Sequence, residues 1–299
     1  GILPFHHVLR LPDTVPGFPV KILLLFSISF FPPFCFIRRG DSMLTNYEKF
    51  KGDVLKLTNI DLNCYKEKQM KRRIDTLITK NKIDSYDKYV ELIKKDKEKF
   101  EQFINFLTIN VSEFYRNPDQ WKLLDKDVFP LLLSKSKSLK IWSAACSTGD
   151  EPYSLVMALS RHLPLSSIRI IATDIDKQVL QQAQVGLYNE KSITSVPDDL
   201  KKKYFTKVGA SYQISDEIKR CVQFKEHNLL KDPYPKDCDL IVCRNVVIYF
   251  TDDAKNEIYK KFYASLKSQG VLFIGSTEQI MNYKEIGFER MSSFFFQKM

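Results

Sequence analysis

The sequence predicts an α/β protein: a doubly wound sheet with a small antiparallel β insertion, preceded by an all-α domain. Two observations lead to this prediction. From Ser138 onwards, continuous apolar segments typical of buried strands alternate with segments of helical periodicity. From Leu44 to about Lys137 the pattern is helical and rich in lysine, and its one glycine is Gly52. With 44% hydrophobic residues, the 299-residue chain can bury a substantial core.

The first half of the chain divides into a short leading segment and a helical domain. "YEKFKGDVLKLTN" and "DSYDKYVELIKKDKEKFEQFINFL" carry apolar residues at helical spacing, and Asp84 and Ser85 are N-cap candidates for the second of these. We expect the helical domain over 43–118. Residues 1–42 contain an apolar run that is interrupted by prolines and too short to span a bilayer, and we interpret them as a leader or non-native segment, with a membrane anchor as the alternative.

The second half, 119–299, reads as alternating strands and helices. "LKIWSAA", "SIRIIATDID", "CDLIVCRNVVIYF", "GVLFIGS" and "SFFFQKM" are the predicted strands. "EPYSLVMALSRHL", "KQVLQQAQVGLY" and "DDAKNEIYKKFYASLKSQG" are the predicted helices, and Gly270 is expected to cap the last one. Residues 201–224 do not follow the alternation. Their short apolar stretches and turn residues predict the small antiparallel β insertion.

The turn after the first predicted strand, in "IWSAACSTGDEPYSL", has a single glycine, Gly149, followed by Asp150 and Glu151. A dinucleotide site would be expected to show G-x-G-x-x-G here, because its backbone approaches a pyrophosphate closely. Acids at this turn disfavour phosphate and suit a cationic or sugar-bearing ligand such as S-adenosylmethionine. An ordinary loop with surface acids explains the turn alone equally well. Asp174, at the end of the next strand, favours a site because ribose-binding acids occur there.

Six blocks of the sequence resemble, in order and spacing, the chemotaxis receptor methyltransferases, or CheR family. They are "TINVSEFYRNPDQW", "WSAACSTGDEPYSLVMAL", "IATDIDKQVLQQAQVGLY", "HNLL", "IVCRNVVIYF" and "GVLFIGSTEQI", and the similarity covers Met43–Met299. The resemblance implies a cytoplasmic, S-adenosylmethionine-dependent protein-glutamate O-methyltransferase that acts on chemoreceptors. It also implies a Rossmann-like methyltransferase domain, with S-adenosylhomocysteine as the product.

The same resemblance implies the roles of individual residues. Arg116, Arg244 and Tyr249 are the catalytic candidates. Ser112 stands where family members commonly have Thr, and the hydroxyl is kept. The residues implied in cofactor binding are Asn110, Ser112 and Arg116 from the linker, Glu151 and Asp174 for polar groups, Asn228 and Leu229 around the adenine, and Arg244 and Asn245 on the methyl-transfer side.

The chemistry of such a reaction agrees with the residues available. A glutamate carboxylate has an unperturbed pKa of about 4.3, so it is ionised at neutral pH and needs no general base. The sequence offers no evident His–Asp pair, and we expect catalysis to come from alignment and water exclusion. Six cysteines without a C-x-x-C pair, and no clustered histidines, predict no metal site.

The charge pattern bears on partners. The net charge is +10, and most of the excess falls in the first half, where Lys68, Lys71, Arg72 and Arg73 lie along adjacent faces of one predicted helix. This helix is either a solvated face or a docking surface for an acidic receptor bundle. Nucleic-acid methyltransferases that act on exocyclic amines usually carry an Asp/Asn-Pro-Pro-aromatic motif after the fourth strand. Here "DPYP" precedes that strand and has the wrong order, and "CRNV" stands at the strand end instead, so this class is disfavoured. We therefore expect no nucleic-acid partner.

Three further expectations remain from the sequence. A non-catalytic S-adenosylmethionine-binding signalling protein is the alternative function. Nothing in the sequence requires more than a monomer. Some family members bind a receptor tail peptide on a longer, glycine-bearing loop of the antiparallel insertion. The stretch from Phe205 to Phe224 is short, and its one glycine is Gly209, so we expect no tail-peptide tether.

Overall fold

The computed structural model describes residues 46–299, and the expected leader at 1–42 lies outside them. The α-helices are α1 (Tyr47–Thr58), α2 (Glu67–Lys80), α3 (Tyr86–Lys95), α4 (Lys97–Thr108), α5 (Pro118–Leu123), α6 (Phe129–Lys135), α7 (Asp150–Leu159), α8 (Lys177–Val185), α9 (Asp198–Tyr204), α10 (Asp216–Lys219), α11 (Asp252–Ser265) and α12 (Tyr283–Ile286). The strands are β1 (Ile141–Ala144), β2 (Ile170–Asp174), β3 (Leu187–Asn189), β4 (Phe205–Val208), β5 (Ser211–Ile214), β6 (Val222–Glu226), β7 (Cys238–Cys243), β8 (Leu266–Ile274), β9 (Phe288–Arg290) and β10 (Phe295–Lys298). Within the described range, no helix is both long and apolar enough to cross a bilayer.

The helices α1 to α4 pack around their own aromatic core. Phe50, Tyr86, Tyr89 and Phe103 are buried there, and their rings contact one another at tilted or edge-to-face angles. The hydroxyl of Ser85 accepts a hydrogen bond from the backbone N–H of Lys88, so the predicted cap of α3 is confirmed. The long helical pattern is divided at Asp96, which caps α4 in the same way.

The large sheet has the strand order β6-β2-β1-β7-β8-β10-β9. Strands β6, β2, β1, β7 and β8 run parallel, while β10 is antiparallel to both β8 and β9. Neighbouring residues of β1 enter different cores: Ile141 packs on the side of α7, and Trp142 on the side of α11. Both faces of the sheet are therefore covered, and the doubly wound prediction is confirmed.

The antiparallel insertion exists, but its strands are not all those expected from 201–224. The small sheet has the order β3-β5-β4, so it includes Leu187–Asn189, which lies before that range. Residues 201–204 finish helix α9, and Val222–Glu226 pairs in parallel with β2 at the edge of the large sheet. A three-residue strand such as β3 is too short to show a periodicity, which is why the sequence did not reveal it.

The prediction that Gly270 caps a helix is wrong. Helix α11 ends at Ser265, and Gly270 lies inside β8. A Cβ atom at this position would stand 2.9 Å from the carbonyl oxygen of Cys238. The pairing of β7 with β8 shifts register between Cys238 and Leu240, so the glycine permits a close backbone approach at an irregular point of the sheet.

Candidate active site

A cleft opens at the carboxyl ends of β1, β2 and β7, where the strand order reverses. Its larger lobe has an empty volume of about 760 Å³ with its open mouth included. A smaller lobe of about 350 Å³ adjoins it. Ala145, Arg116 and Asn245 line both lobes, so the two form one continuous site. This volume and position are those of a small-molecule site in an open α/β sheet.

Every predicted site residue lines this cleft. Arg116, Arg244 and Asn245 border both lobes. Ser112 and Glu151 border the smaller lobe alone. The remaining predicted residues border the larger lobe, and they are Asn110, Asp174, Asn228, Leu229 and Tyr249.

Asp174 sits at the end of β2 and is 5% exposed. Its carboxylate accepts hydrogen bonds from the backbone N–H groups of Ser147, at 2.8 Å, and Asp176, at 3.0 Å. Burial raises the pKa of Asp174 to about 6, although these hydrogen bonds favour the charged form. The turn after β1 therefore points the N–H of Ser147 at the carboxylate of Asp174 and not at a phosphate. This agrees with the single glycine in the sequence of the turn.

Glu151 and Arg244 form a buried ion pair beside the smaller lobe. Nη1 of Arg244 lies 3.5 Å from Oε2 of Glu151, whose Oε1 accepts a hydrogen bond from the hydroxyl of Ser143 at 2.9 Å. Burial raises the pKa of Glu151, and Arg244 opposes that rise. Burial likewise lowers the pKa of Arg244. At both side chains, desolvation has a larger effect on the pKa than the charge of the partner does. The loss of water around the pair therefore sets the direction of both pKa shifts.

Arg244 also braces the segment that leads into α5. Its Nη2 donates to the carbonyl oxygen of Arg116 at 2.6 Å and to Oε1 of Gln120 at 2.7 Å. Its guanidinium lies 4.8 Å from the ring centre of Phe273 and 5.7 Å from that of Trp121. The side chain is therefore held in place, and it positions Arg116 at the boundary of the lobes.

The loop after β7 carries Asn245 and Tyr249. Asn245 has φ 61°, a left-handed conformation that is uncommon for a residue other than glycine. The buried carboxylate of Glu278 holds this loop by accepting hydrogen bonds from the backbone N–H groups of Val246, Val247 and Gly275. Glu278 was not among the residues predicted from the sequence. An acid shortly after the strand in "GVLFIGSTEQI" is a weak signal, because such acids are common on surfaces.

The linker between the two halves begins at Asn110. Its Nδ2 donates to Oδ2 of Asp176 at 3.0 Å and to the hydroxyl of Thr108 at 2.8 Å. Asp176 is buried and caps helix α8 through the N–H of Gln178. It thereby fastens the linker to the large sheet. Asp176 was not predicted from the sequence, although an Asp directly before a helical pattern is a recognisable N-cap signal.

Ser112 and Arg116 lie further along the linker. Ser112 lies near Asp150, a buried acid whose pKa is raised by burial, while the hydroxyls of Thr148 and Ser112 oppose that rise. Arg116 is half-buried, and its Nη1 donates to the carbonyl oxygen of Val111 at 3.2 Å. Val111 itself is 70% exposed at the mouth of both lobes. The linker therefore supplies polar groups to the cleft and an apolar side chain to its rim.

Asn228 joins the helical half to the cleft. Its Nδ2 donates to the carbonyl oxygen of Asn59 at 3.1 Å, and its Oδ1 accepts from the N–H of Leu230 at 2.9 Å. These bonds fix the loop in which Asn228 and Leu229 border the larger lobe. The side-chain amide of Asn228 is thus hydrogen-bonded within the protein, and Asn228 contributes to the lobe as part of its wall.

The helical half also provides a wall of the larger lobe that was not predicted from the sequence. Tyr65, which precedes α2, lines the lobe together with Leu107 and Ile109 at the end of α4. Ile109 has φ 52°, a strained conformation for a β-branched residue. An aromatic residue in a helical pattern carries no signal of this kind, because most such residues are core.

The open, mainly parallel sheet with a cleft at its switch point is the architecture of Rossmann-like α/β proteins, whose ligands bind at this place. The chain belongs to the CheR methyltransferase family. The family model described as "CheR methyltransferase, SAM binding domain" matches residues 110–294. The model described as "CheR methyltransferase, all-alpha domain" matches residues 45–108. The family resemblance of the sequence is confirmed.

Curated relatives agree with this membership. A chemotaxis protein methyltransferase of Listeria innocua is 41% identical over 254 residues, which span 85% of this chain and 97% of that protein. The protein of the same name from Listeria monocytogenes gives the same identity and coverage. The chemotaxis protein methyltransferase of Borreliella burgdorferi is 31% identical, over 76% of this chain and 86% of its own length.

Proposed function

We propose that this protein transfers the methyl group of S-adenosylmethionine to glutamate side chains of chemoreceptors, forming glutamate methyl esters and S-adenosylhomocysteine. The observation that carries the proposal is the two-lobed cleft at the switch point, lined by buried acids and bordered by a turn with a single glycine. Relatives named as chemotaxis protein methyltransferases support the chemotactic role. None of these names favours the non-catalytic alternative.

The lobes fit the parts of S-adenosylmethionine. Asp174 offers a carboxylate to the ribose hydroxyls, and the wall formed by Asn228 and Leu229 suits the adenine ring. Glu151 places negative charge beside the smaller lobe, where the cationic methionine part would lie. Asn110 and Ser112 would complete the polar lining from the linker. Arg116 and Arg244 add positive charge to the smaller lobe, and the mixed charges suit a ligand part that carries a sulfonium, an ammonium and a carboxylate and has no phosphate.

The chain's own residues would act mainly by positioning. The acceptor glutamate is ionised at neutral pH, so no proton has to be removed before it attacks. Arg116 is half-buried at the boundary of the lobes, where its guanidinium can orient a carboxylate. Tyr249 can donate a hydrogen bond from the larger lobe. S-adenosylmethionine supplies an electrophilic methyl group, and a new O–C bond forms as the S–C bond breaks.

Arg244 would contribute in a different manner from Arg116. Its hydrogen bonds to the backbone of Arg116 and to Gln120 fix the position of the segment that carries Arg116. Its cation also offsets the charge of Glu151 in a dry environment. We therefore assign Arg244 the role of a positioning residue, whose guanidinium edge borders the place where charge changes during the transfer.

Receptor docking on α2 is the second part of the proposal. Lys68 and Arg72 are exposed, whereas Lys71 pairs with Asp75 at 2.9 Å and Arg73 donates to the carbonyl oxygen of Phe106 at 2.7 Å. The exposed pair therefore supports docking better than the whole set of four. The N–H of Lys66, just before α2, donates to the carbonyl oxygen of Tyr249 at 2.9 Å. An acidic helix lying on α2 would thus be next to the cleft.

A methyl-transfer assay tests the proposed function. The full chain is incubated with radiolabelled S-adenosylmethionine and receptor-containing membranes, and the label is expected in receptor protein as a base-labile ester that releases methanol. Receptors whose acceptor glutamates are replaced by alanine serve as the control substrate. Label that is stable to base, or that appears in added nucleic acid, would contradict the proposal. Cofactor binding without any transfer would favour the signalling alternative.

A further inference from the structure

Tyr65 is a residue of the helical half that lies in the cofactor cleft. It follows the short helical turn Leu62–Cys64 and lines the larger lobe, which also contains Asp174 and Asn228. It does not line the smaller lobe, where Glu151 lies. Tyr65 therefore faces the part of the cleft that we assign to the nucleoside.

The position of Tyr65 is set by the loop that carries Tyr249. Tyr65 and Phe250 form an isolated antiparallel bridge, and their rings pack at 4.8 Å with an interplanar angle of 61°. The N–H of Thr251 donates to the carbonyl oxygen of Cys64 at 2.8 Å, on the other side of the bridge. The ring is thus clamped between the helical half and the loop after β7, and it is preorganised with respect to the lobe.

The hydroxyl of Tyr65 is available to a ligand. Among residues 46–299 it has no hydrogen-bond partner, and it is not one of the polar atoms sealed inside the protein. Burial raises the pKa of the phenol, and nearby negative charge that includes Asp174 adds to the rise. At neutral pH the group is therefore a neutral O–H donor, placed within electrostatic range of the carboxylate of Asp174.

A ribose diol matches this pair of groups. Each ribose hydroxyl can donate one hydrogen bond and accept others, so a hydroxyl that donates to Asp174 still has an oxygen lone pair to offer. We propose that the hydroxyl of Tyr65 donates a hydrogen bond to a ribose hydroxyl of the bound cofactor, opposite Asp174. This inference rests on the proposed function. It makes the helical half a direct contributor to cofactor affinity as well as to receptor docking.

Calorimetric titration of the full chain with S-adenosylhomocysteine tests this contact. Tyr65→Phe removes the hydroxyl and keeps the ring, and we expect about three- to tenfold weaker binding, the usual effect of one neutral hydrogen bond. Tyr212→Phe is the matched control, because Tyr212 lies in β5, outside both lobes. Near-ultraviolet circular dichroism and the urea midpoint of each variant check that the fold is kept.

Deoxy analogues locate the contact. The parent, Tyr65→Phe and Tyr212→Phe are titrated with 5′-methylthioadenosine and with its 2′-deoxy and 3′-deoxy forms. One deoxy form should bind the parent more weakly than 5′-methylthioadenosine does. The same deoxy change should cost less affinity in Tyr65→Phe, because the contact with the hydroxyl is already absent, and the difference between the two losses is the coupling. The loss should persist in Tyr212→Phe.

The outcomes separate this inference from the proposed function. Tyr65→Phe binding S-adenosylhomocysteine within twofold of the parent, with no coupling to either deoxy analogue, would overturn the contact while leaving the function intact. A higher KM for receptor with unchanged cofactor affinity would overturn it too, because the hydroxyl would then face the acceptor. A parent chain that binds no S-adenosylhomocysteine would refute the cofactor proposal itself.

Discussion

At the scale of single residues, Asp174 combines the features of a ligand-binding acid. Its carboxylate is desolvated, yet it is held by N–H groups of Ser147 and Asp176 that keep its oxygens oriented toward the larger lobe. A buried acid retained at the cost of desolvation is a common mark of a functional site. Where its ligand binds, ribose hydroxyls would replace the solvation that folding removes.

Replacing Asp174 tests its assigned role. Asp174→Ala should weaken S-adenosylhomocysteine binding by on the order of 100-fold, because hydrogen bonds to a charged acceptor are lost. Asp174→Asn should be intermediate, since it keeps an acceptor but loses the charge. Calorimetry measures both, and the urea midpoint checks folding. An alanine variant that binds within twofold of the parent would remove Asp174 from the cofactor site.

The raised pKa of Asp174 predicts a pH dependence. The folded protein binds a proton at this carboxyl with a pKa of about 6, and the ionised form is the better acceptor for a diol. Affinity for S-adenosylhomocysteine should therefore be roughly constant above pH 7 and fall by up to about tenfold per unit below pH 6. Asp174→Asn should lose most of this dependence. Equal affinity of the parent at pH 5 and pH 8 would show that the group does not titrate against the ligand.

At the scale of elements, the glycine turn between β1 and α7 is the most constrained. Gly149 has φ 88°, and a Cβ atom there would stand 2.8 Å from Cβ of Ala183 and 3.1 Å from the ring of Tyr153. Tyr188 of β3 also donates from its hydroxyl to the carbonyl oxygen of Thr148 at 2.7 Å. The turn is thus enclosed by α8 and by the antiparallel sheet, and this packing requires glycine.

Alanine substitutions at two glycines should have opposite effects. Gly149→Ala should lower the free energy of unfolding by about 2–4 kcal/mol, because it adds a left-handed strain to a steric overlap. Gly52→Ala is the control: no atom lies within 4 Å of its added Cβ, and it is inside helix α1, so it should gain about 0.5–1 kcal/mol. Urea unfolding measures both, and a neutral Gly149→Ala would contradict the steric argument.

The elements differ in how far the sequence predicts them. Strands β1, β2 and β7 are continuous apolar runs, and Glu151 and Asp174 followed from that pattern, whereas Arg244 and Asn245 after β7 were implied by the family resemblance. The role of Gly270 was not predictable, because a close approach to Cys238 depends on a strand distant in the sequence. Glu278 and Tyr65 escaped for the same reason, since each acts through contacts that exist only once the loop after β7 has folded against its neighbours.

Helix α2 gives the element-scale prediction on docking. Lys68→Glu with Arg72→Glu reverses exposed charges, and it should lower kcat/KM for receptor methylation by at least about tenfold through lost electrostatic complementarity. Cofactor affinity should not change. The matched control reverses Lys95 and Lys97, which are exposed on α3 and α4. If added salt and both pairs of reversals leave methylation unaltered, α2 is a solvated face and does not dock the receptor.

At the scale of the whole molecule, the cleft needs both halves of the chain. The large sheet supplies Asp174, Glu151 and Asn245, while the helical half and linker supply Tyr65 and Asn110. Hydrogen bonds from Asn228 to Asn59 and from Lys66 to Tyr249 join the halves at the rim of the larger lobe. Ligand binding and the packing of the helical half on the sheet should therefore reinforce each other.

The antiparallel sheet gives the last prediction, which concerns how the receptor is held. A tail peptide adding a strand to this sheet would raise the local concentration of enzyme at the receptor. Strands β4 and β5 are joined by Gly209 and Ala210, a hairpin connection too short to fold over an added strand. Lys207 is exposed on β4, and charged residues of this kind discourage edge pairing.

We therefore expect the full chain to bind synthetic receptor tail peptides no more tightly than millimolar in calorimetric titrations. Receptors with and without their tails should be methylated at equal rates, because the proposed docking through α2 would hold either receptor. The Lys68→Glu, Arg72→Glu variant is the control, since its methylation should fall on both receptors alike. Micromolar peptide binding that is abolished by substitutions in the edge strand β4 would contradict this prediction, and would place a second receptor contact on the antiparallel sheet.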